Sequence, residues 1–87
     1  MRAQILVARN IRRLRVARGL SQEALAVDAG IDRTYVSRLE RELENPTVAV
    51  LEKLATALTV EISELFERAA VRSPVKPLPG GRRKGRR

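Results

Sequence analysis

Gln22–Leu39, QEALAVDAGIDRTYVSRL, is the stretch whose reading decides the fold. Leu25, Ala26 and Ala29 recur at the spacing of one helix face. Ser21 just before them offers an oxygen to cap the helix start, and Glu23 sits in the first turn, near the positive end of the helix dipole. Gly30 ends this short helix, because glycine takes the left-handed conformation that closes a helix without penalty. Asp32 is then placed to cap a second helix in which Val36 and Leu39 face inward, leaving Arg33, Thr34, Ser37, Arg38 and Arg41 on the outer face. Ala26 is small where the second helix must pass close, and Leu25, Ile31, Val36 and Leu39 supply the apolar contacts that lock the pair. The expectation is two short helices, about 21–29 and 32–41, crossing steeply through a tight turn.

Outward from this pair the pattern stays helical. Val7, Ala8, Ile11 and Leu14 predict a preceding helix that ends at Gly19. On the other side Asn45-Pro46 interrupts the periodicity, Thr47 is a cap, and Val50, Leu51, Leu54, Ala55 and Leu58 form the broad apolar face of a fourth helix. A fifth, about 61–70, carries Ile62, Leu65, Phe66 and Ala69, more apolar surface than the end of so small a domain needs, and these residues are expected to meet a second copy of the chain. The fold expected is all-α, a compact five-helix domain over residues 1–71. Residues 72–87 run SPVKPLPGG and then RRKGRR once past Arg72, a basic tail whose prolines, glycines and like charges predict disorder.

Composition narrows the chemistry. With 87 residues there is room for one modest core, and with one Tyr, one Phe and no Trp that core must be aliphatic. Cysteine and histidine are both absent, which excludes disulfides, thiol nucleophiles, Cys/His zinc sites and the commonest general base. No nucleophile–base pair, metal cluster or phosphate-binding glycine loop is present, so neither catalysis nor a cofactor is expected. The absence of a long apolar run predicts a protein that stays in the cytoplasm, away from membranes. The net charge of +8 is unevenly spread. Residues 1–41 carry nine basic and four acidic side chains, residues 42–71 two and six, and residues 72–87 seven and none. Two basic regions around an acidic one suggest that the first half and the tail face a polyanion.

The motifs IRRLR (11–15), GLSQEALA (19–26), GIDRTYVSRLER (30–41), NPT (45–47) and LxKLAxALxVxxxELF (51–66) resemble the helix-turn-helix DNA-binding domains of phage-repressor, Cro and Xre type, over about Val7 to Phe66. The DRTYVS segment is similar to the start of the recognition helix in restriction-modification controller proteins. The resemblance implies a lambda-repressor-like fold whose third helix enters the major groove of double-stranded DNA. A homodimer then reads two half-sites about one helical turn apart. It also implies roles: Arg33, Thr34, Ser37 and Arg38 for reading bases, and Gln22, Arg41 and Arg12 for phosphates. Tyr35 is expected either to reach a phosphate or to pack half-buried under Leu39. Arg15 and Glu40 match a pair that bridges the first and third helices, the alternative being two unrelated surface charges. Two positions depart from the pattern, Glu42 after the third helix and Thr59 after the fourth, where glycine is usual, so the loop paths there are open. Glu42 and Glu44 also bring negative charge close to the expected DNA face. The function expected is a sequence-specific transcriptional regulator that occupies an operator, its tail adding affinity without sequence choice. The second reading is an interaction module, such as the antitoxin partner of a toxin.

Overall fold

Helix α1 spans Ala3–Ala17 and turns Leu6, Val7, Ala8, Asn10 and Ile11 toward the interior. Helix α2, Gln22–Ala29, starts where the Ser21 hydroxyl accepts from the Ala24 N–H at 2.9 Å, and buries Leu25, Ala26 and Ala29. Helix α3, Arg33–Glu40, starts three residues after Gly30, and Asp32, expected to cap it, makes no side-chain hydrogen bond to its first turn. Helix α4, Val48–Leu58, begins at Thr47, whose hydroxyl accepts from the Val50 N–H at 3.2 Å. A 3-10 turn, Ile62–Phe66, ends the computed structural model, which describes residues 2–68. No strand forms among the described residues, and no helix among them is long and apolar enough to cross a membrane.

Each α-helix closes the same way. The residue after the last turn adopts a positive φ, and the next residue returns its N–H to a carbonyl five back: Leu20 to Arg15 at 3.1 Å, Ile31 to Ala26 at 3.0 Å, Leu43 to Arg38 at 2.9 Å and Val60 to Ala55 at 3.0 Å. This closure satisfies carbonyls that a helix end otherwise leaves bare. Gly19 and Gly30 adopt the left-handed conformation freely, but Glu42 (φ 67°) and Thr59 (φ 61°) adopt it too. The loops therefore keep the path that glycine would give them, with strain of about 1–2 kcal/mol at each non-glycine position. An aliphatic residue follows each left-handed one (Leu20, Ile31, Leu43, Val60), so the sequence signal for the closure includes the apolar neighbour as well as the glycine.

The core lies where the four helices and the 3-10 turn converge. Ile11, Leu25, Val36, Leu39, Leu54, Leu58 and Leu65 are all fully buried there, each contributing about 1.5–3 kcal/mol by leaving water. α2 packs on α3 and α4, while α1 packs on α3, α4 and the 3-10 turn. Two expectations are corrected at the C-terminal end. The fifth element is a five-residue 3-10 turn in place of an α-helix over 61–70. Leu65, expected at a dimer interface, is 0% exposed and belongs to the protomer's own core, because the tight turn drives it between α1 and α4. Ala69, the boundary at 71 and the 72–87 tail lie outside the described residues.

The turn is held to α1 by a buried polar residue. Asn10 is 0% exposed; its Nδ2 donates to the carbonyls of Leu65 at 2.9 Å and Glu67 at 2.7 Å, and its Oδ1 accepts from Arg13 Nη2 at 2.9 Å. All its polar atoms are thus engaged, as burial requires.

Candidate nucleic-acid interface

α3 is amphipathic at the level of single residues. Val36 and Leu39 are fully buried, whereas Arg33, Thr34, Arg38 and Arg41 are exposed and Ser37 is half-buried beside them. Successive helical residues turn by about 100°, so positions 33, 34, 37, 38 and 41 share the face away from the core. The arrangement offers three guanidinium groups and two hydroxyls on one convex ridge. Such a ridge has the dimensions of a helix that fits a major groove, about 12 Å wide.

The ridge is braced from behind. Arg15 on α1 grips the Glu40 carboxylate with Nε at 2.6 Å and Nη2 at 3.0 Å, and its Nη1 donates to the Leu20 carbonyl at 2.7 Å. One side chain therefore ties α1, the turn before α2 and the end of α3. Arg15 is shifted further up from its already high value, first by the hydrogen bonds it donates to Glu40 and also by that carboxylate's charge, against the opposing cost of burial. The cation is permanent. Gln22 joins the same network, its Nε2 donating to Glu40 Oε1 at 3.1 Å. Part of the amide expected to face a phosphate is thus committed within the protein, leaving its oxygen and a second N–H.

The Tyr35 ring packs half-buried against the core. Its hydroxyl is pushed up from the ordinary value near 10.0, mainly by burial and then by the charge of Glu44. Arg12 stands exposed on α1, one turn before Arg15. The 3-10 turn leaves Ile62 half-buried and Phe66 42% exposed, so of the residues expected to meet a second copy these two reach the surface among the described residues.

Sequence reading missed how the loop after α3 is fastened. Gln4 on α1 donates through Nε2 to the carbonyls of Glu42 at 3.2 Å and Glu44 at 2.8 Å. The Glu44 carboxylate accepts from Arg38 Nε at 2.8 Å, and Arg38 Nη2 lies 3.4 Å from the Leu43 carbonyl. Arg9 comes within 3.8 Å of the Glu42 carboxylate. Asn10 had a legible signal, an amide in the apolar stripe of α1. Gln4 had none, because its partners are backbone carbonyls 38 and 40 residues away.

Comparison with known proteins places this architecture. The helix-turn-helix family model HTH_3 matches residues 11–65. The crystal structure of the restriction-modification controller protein C.AhdI from Aeromonas hydrophila is similar at 46% identity, covering 72% of this chain and 96% of that one, with a TM-score of 0.71. The controller protein C.Esp1396I, solved as a tetramer with its natural 35 base-pair operator, is 31% identical with a TM-score of 0.68, covering 77% of this chain and 99% of that one. A hypothetical transcription factor of Neisseria meningitidis is 47% identical over 61 residues, 70% of this chain and 58% of its own length. The chain thus spans little more than half of that relative, and 41% of another, the regulator SlrR of Bacillus subtilis. With a matched model over most of its length and the same fold in its relatives, the chain belongs to the helix-turn-helix family.

Proposed function

We propose that the chain is a transcriptional regulator that binds an operator in double-stranded DNA as a homodimer, with α3 in the major groove. The observation that carries this reading is the contrast along α3: Val36 and Leu39 are fully buried while Arg33, Thr34 and Arg38 are exposed on a helix braced by Arg15 and Glu40. Arg33 and Arg38 are the candidates to grip O6 and N7 of guanine, the Thr34 methyl to touch that of thymine, and Ser37 to bond to either base edge. Arg41, Arg12, Tyr35 and the free part of Gln22 are assigned to phosphates, which fix the register. Ile62 and Phe66 are assigned to the contact between protomers. The seven cations of residues 72–87 are assigned to phosphates without choice of sequence. The likeness to C.Esp1396I, itself solved on operator DNA, supports the same mode of binding. The work of this chain is recognition, and its place is in the cytoplasm with the chromosome.

Selection of bound sequences from a random duplex pool tests the reading. The expected result is an inverted repeat containing guanine, with half-sites about 34–36 Å apart. Arg38→Ala should then cost roughly 1–3 kcal/mol on that site and relax preference at one position of each half. A chain that enriches no sequence over a random competitor at moderate salt overturns the proposal.

A further inference from the structure

We propose that Glu44 sets the stringency of DNA reading by acting as the positioning residue for Arg38. This rests on the proposed DNA-binding function and adds a residue to it. Four observations support it. The Glu44 carboxylate takes the Nε hydrogen of Arg38 at 2.8 Å, and its side chain is only 28% exposed. The backbone beneath Glu44 is fixed, because the half-buried Gln4 holds the carbonyls on either side of Leu43 at 3.2 and 2.8 Å. The Leu43 carbonyl stands 3.4 Å from Arg38 Nη2, a second stop against swinging. Arg38 remains 44% exposed, so the pair lies at the surface that α3 presents.

The chemistry of the guanidinium does the rest. Arg38 has five N–H donors; with Nε occupied, the Nη1 hydrogens and the outward one of Nη2 remain as a fork matched to the two acceptors of guanine. A carboxylate on Nε also restricts the rotamers that Arg38 must lose on binding a base. Glu44 further opposes phosphate binding, because its charge sits beside the cation that would otherwise meet the polyanion on any sequence. Removing the carboxylate therefore frees Arg38 for phosphates everywhere and loosens it at the base.

Glu44→Gln tests this in the full chain, using the selected operator and a random duplex of equal length. The expected result is tighter binding to random DNA and a roughly tenfold smaller preference for the operator. The salt slope on random DNA should steepen by about 0.9 per protomer, one added phosphate contact. In an Arg38→Ala background the same substitution should leave the operator preference unchanged, since the effect runs through Arg38. An unaltered preference in Glu44→Gln overturns the proposal, and so does an equal effect in the Arg38→Ala background, which would make Glu44 a source of general repulsion only. Loss of all sequence preference in the unsubstituted chain would instead defeat the DNA-reading function itself. Glu44→Ala gives a second measure should the glutamine still bond to Arg38.

Discussion

The Glu40 carboxylate accepts both the Nε and the Nη2 hydrogens of Arg15, twenty-five residues earlier, while its own side chain is 3% exposed. A buried carboxylate without its cation is costly, whereas Arg15 is 13% exposed and keeps the Leu20 carbonyl and access to water. Arg15→Leu should therefore destabilise the fold by about 3 kcal/mol and Glu40→Gln by clearly less. Urea denaturation followed by far-ultraviolet circular dichroism measures both, and equal losses would mean that the cation, too, depends on the pair.

Asn10 makes the next prediction. Asn10→Asp replaces the Nδ2 donor by an oxygen that faces the carbonyls of Leu65 and Glu67. The loss should be about 2–3 kcal/mol, since buried acceptors are left opposing one another. Amide exchange at positions 62–67 should accelerate more than exchange in α2 or α3, because the turn is released before the helical pair. Uniform acceleration would show that Asn10 supports the whole core instead.

The pH dependence concerns Tyr35, the one tyrosine in a chain without tryptophan, so its absorbance titrates alone. Burial first and the Glu44 charge second hold the phenol protonated above its ordinary value near 10.0. Because the folded pKa exceeds the unfolded one, this contribution to stability is fully present below about pH 10 and is lost as pH rises through the folded value. The tyrosinate signal should rise with a midpoint above 10.0, and Glu44→Gln should lower that midpoint by removing the charge. A midpoint indifferent to the substitution would place Glu44 too far from the ring to act.

Thr59 holds a left-handed φ of 61° at the end of α4, and a β-branched residue tolerates that conformation poorly. Thr59→Gly should stabilise the chain by about 1 kcal/mol, the relieved strain exceeding the extra freedom of the unfolded glycine. Thermal unfolding reads the change directly, and a lower melting temperature would mean that the Thr59 side chain makes compensating contacts.

The two apolar neighbours in the 3-10 turn should respond differently to charge. Leu65→Glu puts a carboxylate at a fully buried position and should unfold the chain, whereas Phe66→Glu, at a side chain 42% exposed, should leave the helices intact and weaken self-association. Sedimentation at micromolar concentration with parallel circular dichroism separates the outcomes. A folded Phe66→Glu variant that associates as before would place the dimer contact elsewhere.

Much of this protein is determined by sequence alone, because local physics suffices for it. Apolar spacing marks the first four helices, caps at Ser21 and Thr47 start α2 and α4, and glycines at 19 and 30 end α1 and α2. The inward run of Val36 and Leu39 decides which face of α3 carries Arg33 and Arg38 outward. Tertiary structure alone decides what depends on groups distant in the chain. Apolar periodicity read 61–70 as an α-helix, yet Asn10 of α1 clamps the backbone after Leu65 into a shorter turn and commits Leu65 to the core. Likewise the charge of Glu44 near the proposed DNA face was legible, but its grip on Arg38 was not. Beneath that contact Gln4 holds two loop carbonyls some forty residues ahead, and backbone partners leave no mark on a side-chain pattern.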